Sequence, residues 1–209
     1  IQKTMPQTRL SILDQSPIPS NRTATDALQA TLELAQAAER WGYHRYWLAE
    51  HHGLLGLADP CPEILLTRTA SLTQKIRVGT GGIMLPYYSP FKIAEQFRML
   101  CALFPDRIDL GVGRAPGGDR LTAQAMSGGA YNSADDFPQQ VFDMVGYLDG
   151  TVAENHPFAK VTVQPKSEHA PEVWILGSSD FGGALAAQGR FADRLAGVAT
   201  HRYFPLDLT

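Results

Sequence analysis

Apolar and polar positions follow two rhythms along this chain, and the two take turns. Short apolar runs at residues 10–13, 43–49, 76–85 and 107–113 predict strands. Between them the apolar positions fall at helical spacing. Residues 23–41 carry Ala27, Leu28, Leu32, Leu34, Ala35 and Ala38 on one side and stop before Gly42, a suitable helix terminator. Residues 62–72 and 90–104 predict two further helices, the first opening on Pro62, which the first turn tolerates. From 121 to 171 the alternation breaks down. A helix is expected at about 134–148, followed by an irregular Asn-, His-, Pro- and Lys-rich stretch. The rhythm resumes with a strand at 173–176, a helix at about 180–188 and a last strand at 195–204.

Strand starts near positions 10, 43, 76 and 107 recur about every 33 residues, the size of one βα unit. Strands alternating with helices imply a parallel sheet covered by helices. That leaves a doubly wound open sheet or a (β/α)8 barrel. The first strand is not followed by the G-x-G-x-x-G turn of a dinucleotide-binding sheet, so the reading is α/β of the (β/α)8 TIM-barrel type. It is expected to be incomplete, with about five to six βα units in a single domain over residues 1–209.

Composition narrows the class. The chain has 209 residues, a formal charge of -3 and 44% hydrophobic residues, enough for a core and with no pull toward nucleic acid or anionic membrane. Its apolar runs are too short for a membrane span. The polar start, residues 1–9, is expected to carry no secretion signal. The two cysteines, Cys61 and Cys101, lie in segments read as helical, so buried reduced thiols of a cytoplasmic protein are expected.

In parallel α/β architectures the chemistry gathers where strands end. Strand two exits as Ala49-Glu50-His51-His52-Gly53. Imidazole suits acid–base work near neutrality. A general base or polar cofactor contact is favoured over a satisfied structural histidine or a metal ligand. Adjacent strand residues point to opposite sides, so His51 and His52 would not chelate one ion together. No further motif completes a metal site.

Strand three ends in Gly79-Thr80-Gly81-Gly82, whose glycines admit a flat ligand against the strand or a tight bend. Strand four exits through Gly113-Arg114, an arginine among glycines that suits a phosphate or a surface ion pair. Strand five exits as Gly177-Ser178-Ser179 into a helix start, an anion site or a simple N-cap. A base, a glycine surface and a phosphate pocket in one layer fit a flavin mononucleotide better than a sugar or a metal.

Five stretches resemble the bacterial-luciferase-like flavin monooxygenases and occur in that family's order. They are YWLAEHH at 46–52, VGTGGIMLP at 78–86, SP at 89–90 running to AEQF at 94–97, RIDLGVGRAPG at 107–117 and VWILGSS at 173–179. The resemblance implies a barrel and reduced FMN delivered by a separate flavin reductase. It also implies O2 acting on an aldehyde-like or other small organic substrate, usually in a homodimer. By motif, His51 matches the active-site histidine, with Glu50 and His52 supporting it. Thr80, Gly81 and Gly82 match the strand facing the flavin ring, where a non-prolyl cis peptide is often found. Arg114, Ser178 and Ser179 match the phosphate site. A non-catalytic flavin-binding relative and a deazaflavin-dependent oxidoreductase are the rival functions. Family chains are considerably longer, so this sequence is expected to be a truncated product, a fragment of a larger assembly or a naturally shortened relative. Apolar residues on helices two and three, including Ile64, Leu65, Leu66, Phe97, Met99 and Leu100, are more than one buried face needs and point to a dimer or to a wide core stripe.

Overall fold

The first helix shows how local sequence sets the elements. Thr23 caps α1 (Ala24–Arg40): its side chain accepts the Asp26 N–H while the Asp26 carboxylate accepts the Thr23 N–H. Ala27, Thr31, Leu32, Ala35 and Ala38 form the buried stripe, and Gly42, at φ 80°, turns the chain back toward the sheet. The computed structural model describes residues 9–114, 118–127, 134–177, 185 and 195–199.

Six strands form one parallel sheet in the order of the chain: β1 (Ser11–Asp14), β2 (Arg45–Leu48), β3 (Arg77–Met84), β4 (Ile108–Gly113), β5 (Glu172–Leu176) and β6 (Leu195–Ala199). A doubly wound sheet would reverse its strand order at a switch point. Strictly sequential order is the wall of a (β/α) barrel. Among the described residues β1 and β6 are its two edges. Helices α2 (Pro62–Leu72) and α3 (Pro90–Leu103) connect β2 to β3 and β3 to β4. Between β4 and β5 lie α4 (Arg120–Met126) and α5 (Phe137–Asp149), and α5 packs against α3.

The sheet has two chemically different faces. Tyr46, Leu48, Val78, Ile83, Ile108, Leu110, Val112, Val173 and Ile175 point toward the helices and join Leu66, Ile93, Phe97, Val141 and Met144 in the core. Each such large side chain contributes roughly 1.5–3 kcal/mol by leaving water. The opposite, inner face carries Trp47, Asp109 and Trp174 with the glycines of β3 and β4. Near the strand starts, Asp109 is fully buried. It accepts from Arg45 Nε (2.9 Å), Trp47 Nε1 (2.9 Å) and both Arg77 Nε (2.9 Å) and Nη2 (2.6 Å). Arg45 and Arg77 also pair with Glu172, and the Arg45 guanidinium lies 4.9 Å from the Trp174 ring centre. This cluster is the floor beneath the strand exits.

Two expectations are corrected. Cys101 is buried in α3, its thiol pushed up to about 12 chiefly by burial, but Cys61 is exposed. The helix begins one residue later at Pro62, whose fixed φ and missing N–H suit the first helical position, so Cys61 stays outside as the cap. The broken stretch after residue 120 contains α4, a helix with no buried residue and hence no apolar stripe to announce it. The helix expected at 180–188 lies outside the described residues except for Leu185, which is helical and buried.

Candidate active site

All strand exits face one rim. Leu48 is in register with Thr80 and Gly113 with Leu176, so the exits of β2 through β5 stand side by side. Glu50 follows β2 by two residues and is 2% exposed, a carboxylate that needs several partners at such burial. It has three. Oε1 accepts from His52 Nε2 and from the Tyr88 hydroxyl, each at 2.6 Å, and Oε2 accepts the Met84 N–H at 2.9 Å. Glu50 and His52 lie two residues apart just past β2 and bond each other directly. Tyr88 comes from the turn between β3 and α3, and its hydroxyl is held far from ionisation by burial and by Glu50.

His51 is half-buried, and its N–H donates to the Asp59 carbonyl at 3.3 Å. Gly53 continues at φ 68°, and here α4 covers the segment. A Cβ on Gly53 would stand 2.5 Å from the Thr122 hydroxyl, and one on Gly118 would stand 2.9 Å from the His52 carbonyl. The loop after β2 is tied to the loop after β1 by Ile18 N–H to Gly56 O (2.7 Å) and Ala58 N–H to Ser16 O (2.9 Å). Below them Asp14 accepts from Ser16 N–H and from the Tyr46 hydroxyl.

The glycines sit where side chains could not. At Gly81 a Cβ would lie 2.6 Å from Leu13 and 3.1 Å from Trp47. At Gly111 it would lie 2.2 Å from the Thr80 carbonyl oxygen. The Gly81–Gly82 peptide is cis. Thr80 is fully buried and donates its hydroxyl to the Gly111 carbonyl (3.0 Å), pinning β3 to β4. Trp47 and Trp174 meet edge to face, 5.2 Å between centres, on the same inner face. Arg114 is exposed at the exit of β4, and Ser178 and Ser179 lie outside the described residues. Among the described residues no group of three or more His, Cys, Asp or Glu is placed to hold a metal ion, and no helix is long and apolar enough to cross a membrane.

The structure thus brings Glu50, His52, Gly81 and Gly82 to one rim and adds Tyr88 and Asp59, which sequence reasoning missed. Nothing in the local pattern marks Tyr88, whose partner is 38 positions away.

The model of the luciferase-like monooxygenase family matches residues 8–203. The chain belongs to the luciferase-like monooxygenase family. An N-acetyl-S-alkylcysteine monooxygenase of Bacillus subtilis is 43% identical over 180 residues, 86% of this chain and 54% of the relative. An Escherichia coli protein named luciferase-like monooxygenase is 43% identical over 85% of this chain and 52% of its own length. The chain therefore spans about half the length of the curated relatives it matches. Among solved structures, apo-MsnO8 superposes with a TM-score of 0.79 at 42% identity over 87% of this chain and 53% of that one. The fold alone is shared with the FMN complex of the oxygenating component of a 3,6-diketocamphane monooxygenase of Pseudomonas putida (TM-score 0.68, 20% identity, 85% of this chain and 54% of that one). It is also shared with an F420-dependent secondary alcohol dehydrogenase (TM-score 0.62, 18% identity, 86% and 55%).

Proposed function

We propose that this luciferase-like chain carries the flavin-facing part of an FMN-dependent monooxygenase. The enzyme would act on an aldehyde-like or other small organic substrate with O2. The observation that carries the reading is a face of β3 on which Gly79, Gly81 and Gly82 place no side chain of their own, in the strand whose Met84 N–H bonds the buried Glu50 of the Glu50–His52 pair. A flat ring needs such a face, and a proton-transferring group is useful only next to it. Reduced FMN, supplied by a separate flavin reductase, would bring the electrons that activate O2.

The chain's own residues divide the remaining work. Gly81 and Gly82 form the platform, with Thr80 holding that strand in place. Arg114, Ser178 and Ser179 take the phosphate, the planar guanidinium matching its oxygens. His51 acts as the base, while Glu50 holds its neighbour His52 and Tyr88 at the same strand exit. Exposed Leu54, Leu55 and Leu121 give the rim an apolar edge suited to an apolar substrate. A second copy covers the α2–α3 groove, where Ile64, Met99 and Leu103 are 68%, 57% and 54% exposed. The cytoplasm is the compartment that keeps its two free thiols reduced.

The test is a titration with reduced and oxidised FMN followed by flavin fluorescence and absorbance, with riboflavin and the deazaflavin F420 as controls. Saturable FMN binding that falls at least tenfold in Arg114→Ala, with riboflavin unaffected, supports the phosphate site. Preference for F420 turns the reading toward a deazaflavin enzyme. Binding without oxygen-dependent turnover indicates a non-catalytic relative, and loss of all binding refutes the proposal.

A further inference from the structure

Asp59 meets the site through its main chain, and its side-chain carboxyl has had no part so far. It lies between the β2 exit and α2 and is 3% exposed. Its Oδ1 accepts the Cys61 N–H at 3.1 Å, and its Oδ2 has no hydrogen-bond partner among the described residues. Leaving one carboxylate oxygen buried and unpaired is costly if it is charged and cheap if it carries a proton. The surroundings favour the proton. The charges that reach Asp59 are Glu63 from α2, Glu50 from the β2 exit and Asp14 from the end of β1, and all three are carboxylates. Burial is the largest cause and these neighbours add to it, raising the carboxyl to about 7 against the single Cys61 N–H bond. At the same time the Asp59 main-chain carbonyl holds the His51 N–H.

We propose that Asp59 is a positioning residue, whose protonated side chain keeps the 59–61 segment seated so that its carbonyl sets the His51 turn. This deepens the reading of His51 as a site histidine and rests on it. When Asp59 loses its proton, a fourth negative charge enters a buried carboxylate group, the segment shifts outward, and the His51 N–H loses its acceptor. The site then works on the acid side of this transition and slackens on the alkaline side. Nothing in the coupling needs flavin.

The test uses the chain without cofactor, so its outcome is separate from the FMN titration. Asp59→Asn keeps the shape and mimics the protonated acid. In the parent protein the Asp59 carboxyl 13C resonance is expected to titrate near neutrality, and the His51 amide shift should follow the same midpoint. The melting temperature should fall by roughly 5 °C between pH 5.5 and 8.5. In Asp59→Asn the His51 amide should hold its low-pH position throughout and the fall in melting temperature should flatten. A carboxyl resonance that titrates near the ordinary 3.8 overturns the proposal, and that reading is available even if the variant does not fold. So does a His51 amide profile that is the same in both proteins.

Discussion

Glu50 Oε1 lies 2.6 Å from His52 Nε2, two residues along the same chain, and the same oxygen accepts the Tyr88 hydroxyl. The pair is fixed by strand geometry on one side and by an element from β3–α3 on the other, so its two partners fail differently. Glu50→Gln keeps an acceptor and the volume but removes the charge. Oxygen-dependent turnover is expected to drop about 10–100-fold while FMN affinity stays within about threefold. Glu50→Ala strands the His52 ring, the Tyr88 hydroxyl and the Met84 N–H in a dry site. It should destabilise the fold by about 3–5 kcal/mol, read by urea denaturation.

Two glycines on the inner face separate folding from binding. A methyl at Gly81 meets side chains only, the end of Leu13 at 2.6 Å and Trp47 at 3.1 Å, and the repacking it forces alters the surface proposed for the ring. A methyl at Gly111 meets the Thr80 backbone carbonyl at 2.2 Å, which cannot move without parting β3 from β4. Gly81→Ala should fold with near-parental melting and bind FMN at least tenfold more weakly. Gly111→Ala should lose at least about 3 kcal/mol of stability. Circular dichroism melts and a flavin titration on the two variants check the split.

Glu39 supplies an acid-sensitive clasp between α1 and the turn before β3. Its Oε1 accepts N–H groups from Gln74 (2.8 Å), Lys75 (2.6 Å) and Ile76 (2.9 Å). Partial burial pushes its carboxyl up, but the three N–H bonds and Arg107 outweigh that and hold it below the ordinary 4.5. A depressed folded value stabilises the protein above the unfolded value and is lost as pH falls through the folded one. Stability should therefore drop as pH falls below about 4.5. Glu39→Gln should start about 1–2 kcal/mol lower at pH 7 and lose less on acidification, measured by urea midpoints from pH 3.5 to 7.

The two cysteines should react in the order of their exposure, but Cys61 more slowly than its exposure alone would give. Cys61 is exposed, yet burial of its sulfur together with Glu63, Asp59 and Glu50 raises its thiol above the usual value. Iodoacetamide at pH 7 should label Cys61 several-fold more slowly than a free thiol, and Cys101 only after denaturation. Mass spectrometry of the labelled chain reads both.

Most of the scaffold was legible because it rests on periodicity and punctuation. Pro62, Pro90 and Gly42 mark helix ends, and the predicted helix 62–72 is α2 itself. Glu50 and His52 were legible as residues but not as a pair with Tyr88, since the pairing depends on the approach of β2 and β3. The Asp109 floor was not legible, because Arg45, Arg77 and Asp109 look like exposed charges until register brings them together. Helix α4 escaped because its only signal is the Asp119 cap, whose carboxylate accepts the Thr122 N–H. Asp59 escaped because a carboxyl in a loop reads as solvated.

The strands carry a floor at one end, where Asp109 gathers two arginines and an indole, and the rim with Glu50 and His52 at the other. This gives the molecule a division of labour along each strand. Changes in the first half of a strand are constrained by a shared charge cluster and so are coupled to changes on neighbouring strands. Changes past the last residue of a strand meet the adjoining loops instead, as Glu50 meets Tyr88 and Ile18 meets Gly56. A lineage can therefore inherit the floor as a unit, while a change at the rim calls for a matching change in the loop beside it.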